Sequence, residues 1–170
     1  MSTNSRRVLG IDPGLAATGY GVVDGNASSA TAIAYGVIRT RAKHPRAQRL
    51  AEIAVGVGEL IDEFRPAELA IEQQYVAVKV RSAMAIGEAR AAAMIAAAER
   101  DVPVYEYQPS MVKETVTGYG GAPKEQVQQM VALQLGLDEV PQPADAADAL
   151  AMALTRLAEA RLDTLLEQAR

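Results

Sequence analysis

Apolar residues along this 170-residue chain follow two patterns, short runs typical of strands and the wider spacing typical of helices. Three strand-length runs come first and are separated by turn signals such as Pro13-Gly14 and Asp24-Gly25-Asn26. Helical spacing follows up to Pro66, and two further strand runs then flank a long helix of about residues 80–100. This βαβ unit predicts a parallel strand pair with a right-handed crossover. Three helices complete the chain, at about 109–116, 123–136 and 143–168. The order βββαβαβααα predicts an α/β fold with a mixed five-stranded sheet flanked by helices.

The helix of residues 83–98 has almost no polar face, because Glu88 and Arg90 are its only charged residues. A helix that is apolar all round is expected to be buried all round. One side can cover the sheet, so the other side needs a second cover. Two covers remain open: a second copy of the chain in a homodimer, or the C-terminal helix of the same chain.

Composition favours a soluble protein of a reducing cytoplasm. The chain has no cysteine, so disulfide frameworks and thiolate metal sites are excluded. No segment approaches the roughly 18 apolar residues that a membrane span requires, and the N-terminus has no signal-peptide core. The net charge of −4 argues at first against nucleic acid, but four of the acids are candidates for a single site.

These four acids lie at the edges of apolar segments, in three separated places: Asp12, Glu72, Asp145 and Asp148. A lone carboxylate is costly to bury unless something compensates its charge. Asp12 and Glu72 end the first and fourth strands, so they emerge at one sheet edge if those strands are neighbours. Asp145 and Asp148 are spaced i, i+3 and therefore share one face of a helix.

Two interpretations of these acids remain open on the residues alone. Aspartate is favoured in a first helical turn, and Pro143 suits the first helical position, so the pair can be a simple helix start. Alternatively, four carboxylates without histidine form the oxygen-only set that suits Mg²⁺ or Mn²⁺. Two such ions stabilise both the attacking and the leaving oxygens of a phosphoryl displacement.

Several motifs occur together in one order, and any one of them alone is weak. They are Gly10-Ile11-Asp12-Pro13-Gly14, Thr18-Gly19-Tyr20-Gly21-Val22, Ala70-Ile71-Glu72-Gln73, Glu88-Ala89-Arg90-Ala91, Val112-Lys113-Glu114-Thr115-Val116-Thr117-Gly118 and Ala144-Asp145-Ala146-Ala147-Asp148-Ala149-Leu150-Ala151. In this order and spacing, over roughly residues 7–155, they closely resemble the RuvC family of Holliday junction resolvases. Residues 156–170 form a tail outside the resemblance, within what we expect to be a single domain over residues 1–170.

The resemblance implies an RNase H-like fold, a homodimer and symmetric nicking of two strands at a four-way DNA junction, in recombination and repair. It implies that Asp12, Glu72, Asp145 and Asp148 are catalytic ligands of Mg²⁺ or Mn²⁺, two ions to a site. A metal-activated water would attack the scissile phosphate, leaving 5′-phosphate and 3′-hydroxyl ends. A branch-migration helicase of the RuvA–RuvB type is the implied partner.

The resemblance also implies DNA contacts. Tyr75 stands where the family has an aromatic residue close to the exchange point of the junction, and its ring can stack on a base. Lys113 and Lys124 correspond to two family lysines near the scissile strand, where an ammonium group can hold phosphate. Lys79 and Arg81 are further candidates, although their loop is less polar than expected of one that reads bases. Related enzymes can carry a histidine at the position of Asp145.

Other interpretations stay open on the sequence. A basic stretch without acids, with Arg39, Arg41, Lys43, Arg46 and Arg49, is either a solvated surface or a patch that faces phosphates. An actin-like ATP-binding regulator would require a second domain. A junction-binding module without catalysis conflicts with the four intact acids. A ribonuclease H that acts on hybrids would favour a basic surface that binds hybrids, and a monomer.

Overall fold

A computed structural model describes residues 5–26, 28–73 and 80–169. Its sheet has the strand order β3-β2-β1-β4-β5. The strands are β1 Arg6–Asp12, β2 Ala17–Asn26, β3 Ser29–Arg39, β4 Glu68–Glu72 and β5 Val104–Tyr107. The first three pair antiparallel, β4 lies parallel to β1, and β5 lies parallel to β4. The mixed five-stranded sheet predicted from the sequence is confirmed.

Five helices complete the described residues: α1 Arg46–Phe64, α2 Val80–Ala98, α3 Pro109–Thr117, α4 Lys124–Gln134 and α5 Ala144–Gln168. The predicted start of α5 differs by one residue. Pro143 has an extended backbone (φ −67°, ψ 172°), so it is the N-cap and Ala144 is the first helical residue. Asp145 is consequently the second residue of α5, still within its first turn.

The helices cover the two faces of the sheet separately. Alternate residues of a strand point to opposite faces, and both faces of the central strands are buried: Leu9 and Ile11 pack under α1 and α2, whereas Val8 packs under α3, α4 and α5. Strand β4 has buried side chains on both faces, as expected of a parallel strand inside a sheet.

Helix α5 lies directly against the backbone of β1 and β2 because these strands carry glycine at the crossing. A Cβ atom on Gly10 would stand 1.9 Å from the carbonyl oxygen of Ala149, and one on Gly19 would stand 2.1 Å from that of Asp145. A Cβ on Gly21 would stand 2.7 Å from the Leu150 side chain. No larger residue fits at Gly10 or Gly19 without moving α5, so these glycines determine how close the helix lies to the strands.

Helix α2 is not buried all round within the described part of a single chain, so its predicted cover by a second copy of the chain stays a prediction. One face of α2, rich in alanine, packs against α1 and the sheet. The other face is exposed at Val80, Met84 and Ile95, with Met84 57% and Ile95 56% accessible. The alternative in which the C-terminal helix covers α2 is wrong, because α5 packs on the opposite face of the sheet. No helix in the described part of the chain is long and apolar enough to cross a membrane.

Candidate active site

Three of the predicted acids meet at one edge of the sheet. Asp12 is the last residue of β1, and Asp145 and Asp148 lie one turn apart near the start of α5. One carboxylate oxygen from each lies within 4.8 Å of the others, and all three side chains are partly buried. These distances are short enough for one metal ion to contact all three carboxylates.

The local structure around Asp12 holds this arrangement in place. The contact between Gly19 and the Asp145 backbone fixes the first turn of α5 over β2. After Asp12 the chain turns, and the buried Thr18 closes that turn by donating to the Gly14 carbonyl (2.8 Å) and accepting from the Gly14 amide (3.3 Å). The close approach of Gly19 to the Asp145 backbone thus fixes the start of α5 against β2, and the Thr18 hydroxyl fixes the turn after Asp12.

Glu72 ends β4, the parallel neighbour of β1, and faces the same cleft. It is not one of the three acids whose oxygens lie within 4.8 Å of one another, but it lines a cavity of about 280 Å³ together with Asp148, Lys113 and Lys124. Burial raises the pKa of Glu72, as does the charge of Asp148, while Lys124 and Lys113 lower it. The fourth predicted acid thus belongs electrostatically to the same site.

The cluster is unfavourable as a set of bare anions. Burial, followed by the charges of Asp148, Asp145 and Glu72, raises the pKa of Asp12 to about 8. A divalent cation among these oxygens would offset both the burial and the mutual repulsion. The donor set, carboxylate oxygens without nitrogen or sulfur, fits a hard cation.

Two lysines supply positive charge at the cleft. Lys124 is the first residue of α4, and its ammonium nitrogen lies 2.9 Å from a carboxylate oxygen of Asp148. That hydrogen bond is the main cause of the raised pKa of Lys124. Lys113, on α3, lines the cavity beside Glu72. Both lysines therefore line the same cavity as Glu72 and Asp148.

Known proteins share this architecture and sequence. The family model for the crossover junction endodeoxyribonuclease RuvC matches residues 8–156. The chain belongs to the RuvC family. Crossover junction endodeoxyribonucleases RuvC from Brevibacillus brevis and Chromohalobacter salexigens are 46% and 51% identical to it, over 88% and 87% of this chain and 90% and 78% of theirs. The family consists of nucleases that act on DNA.

Solved structures agree with the family assignment. Thermus thermophilus RuvC in complex with a Holliday junction substrate superposes with a TM-score of 0.89 at 41% identity, covering 94% of this chain and 97% of that one. The yeast mitochondrial Holliday junction resolvase Ydc2, at 14% identity, has a TM-score of 0.62 over 89% of this chain and 79% of its own, which shows a shared fold. The RNase H-like fold expected from the sequence is confirmed.

The predicted DNA contacts are located only in part, since Tyr75 and Lys79 lie outside the described residues. Arg81 is exposed near the start of α2. Lys113 and Lys124 are the two candidates that the RuvC fold brings to the acids.

Two arginines of the basic stretch at residues 39–49 form contacts within the fold. Arg49 donates to the Thr40 hydroxyl (2.8 Å), and Arg46 forms an ion pair with Glu88. Arg39, Arg41 and Lys43 are exposed. The stretch is therefore a surface with two arginines tied to neighbouring groups, not a continuous row of free cations.

Sequence reasoning assigned no role to Arg90, although its side chain reaches the site. Its Nε–H donates to the main-chain carbonyl of Glu72 at 3.0 Å, and its terminal amine pairs with Glu106. The available signal was its place on α2: Arg90 and Glu88 are the two charged residues in an apolar stretch.

Proposed function

We propose that this protein is a metal-dependent, structure-selective endonuclease that resolves four-way DNA junctions in recombination and repair. It nicks two strands symmetrically and leaves 5′-phosphate and 3′-hydroxyl ends. The observation that carries the proposal is the group of three carboxylates within 4.8 Å at the end of the sheet, in a chain that resembles a RuvC solved with a Holliday junction at a TM-score of 0.89.

The catalytic residues of the proposal are Asp12, Glu72, Asp145 and Asp148, which hold Mg²⁺ or Mn²⁺, two ions to a site. Bound there, the ions supply Lewis-acid stabilisation of charge on the reacting oxygens. The acids contribute fixed negative charge, and Asp12 must lose its proton before it can serve as a ligand. The raised pKa of Asp12 supports this role, because it reports a site built for more positive charge than the chain itself supplies.

Lys113 and Lys124 bind the scissile phosphate in this proposal. Their ammonium groups flank the cleft on two separate helices, α3 and α4. Lys124 exchanges its contact with Asp148 for a phosphate oxygen when the strand arrives. In the sequence, Tyr75 and Lys79 lie between Glu72 and α2, and Arg81 is the second residue of α2. We assign all three to junction contacts away from the cleaved bond.

The functional unit is a homodimer that pairs through α2. The exposed apolar face of α2 supports this assignment, because a face with Met84 and Ile95 more than half accessible is a poor surface for water. A two-fold protein also matches the near two-fold symmetry of an opened junction. A RuvA–RuvB-type branch-migration complex is the proposed partner, and the cytoplasm the proposed location.

One nuclease domain over residues 1–170 carries these functions, with its core at about 7–155. The tail from 156 to 170 has no separate fold in the described residues, since α5 continues without a break to Gln168. Its start, Arg156, is part of the core because it is 2% accessible. We assign the remainder of the tail to support of the domain.

The test presents purified protein and Mg²⁺ or Mn²⁺ with a mobile four-way junction, a linear duplex and an RNA–DNA hybrid. We expect paired symmetric nicks in the junction alone, and none with Asp12→Asn. Asp138→Asn is the matched control, because it makes the same change at an exposed acid beside a different cavity. Cleavage of the hybrid instead would leave the fold and remove the resolvase. Junction binding without nicks under either metal would indicate a binding module.

A further inference from the structure

Arg90 connects α2 to the strand that carries Glu72. Its side chain is 16% accessible, and it uses two donors in different directions. The Nε–H reaches the carbonyl oxygen of Glu72 at 3.0 Å, while the terminal amine forms an ion pair with Glu106 on β5. One guanidinium therefore contacts both β4 and β5 at the end where the acids lie.

The main-chain carbonyl of Glu72 requires a hydrogen-bond donor that does not belong to a neighbouring strand. In a parallel pair, one residue bonds to the two neighbours of the residue opposite it. Tyr107 stands opposite Glu72, and its carbonyl accepts from the Gln73 amide at 2.7 Å. The main-chain amide and carbonyl of Glu72 consequently point away from β5 and towards β1. On that side, the pairing of β1 with β4 ends at Ile11 and Ile71. The Glu72 carbonyl lies beyond this pairing and can therefore accept from Arg90.

We propose that Arg90 is a positioning residue that fixes the main chain at Glu72, and thereby the placement of the Glu72 carboxylate opposite Asp148 and Asp12. The inference rests on the proposed role of Glu72 as a metal ligand. Glu72 is the last residue of its strand, so rotation of its main chain would swing the carboxylate out of the cleft. A hydrogen bond from a rigid, planar guanidinium that is itself held by Glu106 opposes that rotation.

The alternative is that Arg90 only stabilises the fold by tying α2 to the sheet. Arg100 provides the matched comparison within the same region. It pairs with Asp62 of α1 (2.8 Å) and donates to the Ala96 carbonyl (3.3 Å), but it contacts no residue of the site. Arg90 and Arg100 thus each join one carboxylate and one carbonyl, and only Arg90 touches Glu72.

The experiment compares wild type, Arg90→Gln, Glu106→Gln and Arg100→Gln. Mn²⁺ affinity is measured without DNA by counting free Mn²⁺ in electron paramagnetic resonance. Melting temperature and single-turnover cleavage of a four-way junction are measured on the same preparations. Loss of a group that orients a metal ligand typically weakens metal binding or activity by about 10–100-fold.

We expect Arg90→Gln to weaken Mn²⁺ binding by roughly tenfold or more, and Glu106→Gln to weaken it less, because Arg90 keeps its bond to the carbonyl. Arg100→Gln should bind Mn²⁺ as wild type does, whatever its melting temperature. Wild-type Mn²⁺ affinity in Arg90→Gln, or equal losses in Arg90→Gln and Arg100→Gln, would overturn the positioning role. If wild type cut no junction while Arg90→Gln still lost Mn²⁺ affinity, the proposed function would fail and the positioning role would stand.

Discussion

Asp12 combines burial with three neighbouring acids, and this combination has a measurable cost when no cation is bound. Its pKa is raised from 3.8 to about 8, first by burial and then by the charges of Asp148, Asp145 and Glu72. The unfolded chain loses this proton near pH 4, whereas the folded chain keeps it until about pH 8. Between these values the folded state binds more protons, so a rise in pH favours unfolding.

Asp12→Asn should therefore stabilise the metal-free protein at pH 8. The gain should be absent near pH 4 and grow as pH rises towards 8, because the amide never ionises. Since the cluster is partly exposed and its side chains can move apart, we expect a gain on the order of 2 kcal/mol. Urea unfolding in EDTA, at steps from pH 4.5 to 8.5, measures it. A pH-independent difference between the two proteins would contradict the electrostatic cause.

Lys124 provides a second prediction at the residue scale, because its ammonium group pairs with Asp148 at 2.9 Å. Replacing it with Gln removes the charge that would meet the scissile phosphate, and we expect single-turnover cleavage to slow by about 10–100-fold. Junction affinity, measured by fluorescence anisotropy in Ca²⁺, should change by less than about threefold, because one charge among many phosphate contacts is lost. Glu125→Gln, next to it on α4, controls for changes in the helix itself. A loss confined to junction affinity would assign Lys124 to general DNA binding.

At the scale of elements, the contact of α5 with β1 and β2 decides whether the acids meet. Gly19→Ala introduces a methyl group 2.1 Å from the carbonyl oxygen of Asp145, a backbone atom that cannot turn aside. We expect a loss of stability of about 1–3 kcal/mol, with a loss of cleavage beyond what the remaining folded fraction explains, because α5 must move. Urea unfolding and cleavage below the transition measure the two effects.

Gly120→Ala is the matched control for this substitution. A Cβ at Gly120 would stand 3.4 Å from its nearest neighbour, the carbonyl oxygen of Ser110, so only a slight adjustment is required. Stability and cleavage of Gly120→Ala should stay close to wild type. Equal behaviour of the two variants would show that the close approach at Gly19 does not position α5.

A buried ion pair anchors α5 at the other end of the sheet. The side chain of Arg156 is 3% accessible, forms a two-point contact with Glu68 at the start of β4 and stacks on Tyr105 at 3.7 Å. Removing one partner of a buried pair leaves the other charge uncompensated, at a cost of about 3–5 kcal/mol. We expect Arg156→Met to lie towards the lower end, because Arg6 still pairs with Glu68. Urea unfolding measures this loss.

The double variant Glu68→Gln with Arg156→Met tests the cause of that loss. Removal of both charges should recover part of the stability, since neither partner is left buried alone. A double variant no more stable than Arg156→Met would indicate that packing against Tyr105, and not the ion pair, dominates.

At the scale of the whole molecule, the sequence predicted the elements and their order because periodicity and turn residues are local signals. Strand β4 ends at Glu72 as predicted. Strand ends and helical spacing related Asp12 to Glu72 and Asp145 to Asp148, whereas the meeting of Asp12 with Asp145 and Asp148 was implied by the resemblance to the RuvC family. The predicted start of α5 was one residue too early, because the sequence does not show that the backbone of Pro143 is extended. Of the two covers considered for α2, the C-terminal helix was wrong because apolar composition does not tell which side of the sheet a later helix takes. The homodimer stays a prediction. Arg90 was missed because its partner is a main-chain carbonyl, which every residue has.

The proposed dimer is the prediction that belongs to the whole molecule. Ile95→Glu places a charge on the exposed apolar face of α2, where Ile95 is 56% accessible. We expect the variant to be monomeric in sedimentation equilibrium, and to lose paired cutting of one junction because only one site is then present. Leu133→Glu, a change of the same kind on α4 at 72% accessibility, should leave the assembly intact. A wild-type protein that is monomeric in the same experiment would contradict the proposed interface.

Helix α5 is a continuous segment whose contacts with the sheet extend from Asp145 to Arg156. Asp148 stands at the edge where β1 and β4 end, and Arg156 stands where β4 begins, about 12 Å farther along the helix axis. An α-helix keeps its length, so the position of Arg156 sets how far Asp145 and Asp148 project towards Asp12. The contact of Arg156 with Glu68, at the opposite edge of the sheet, thus helps to set the distances between the acids. Substitutions near Glu68, remote from any reacting atom, should therefore alter which size of cation the site prefers.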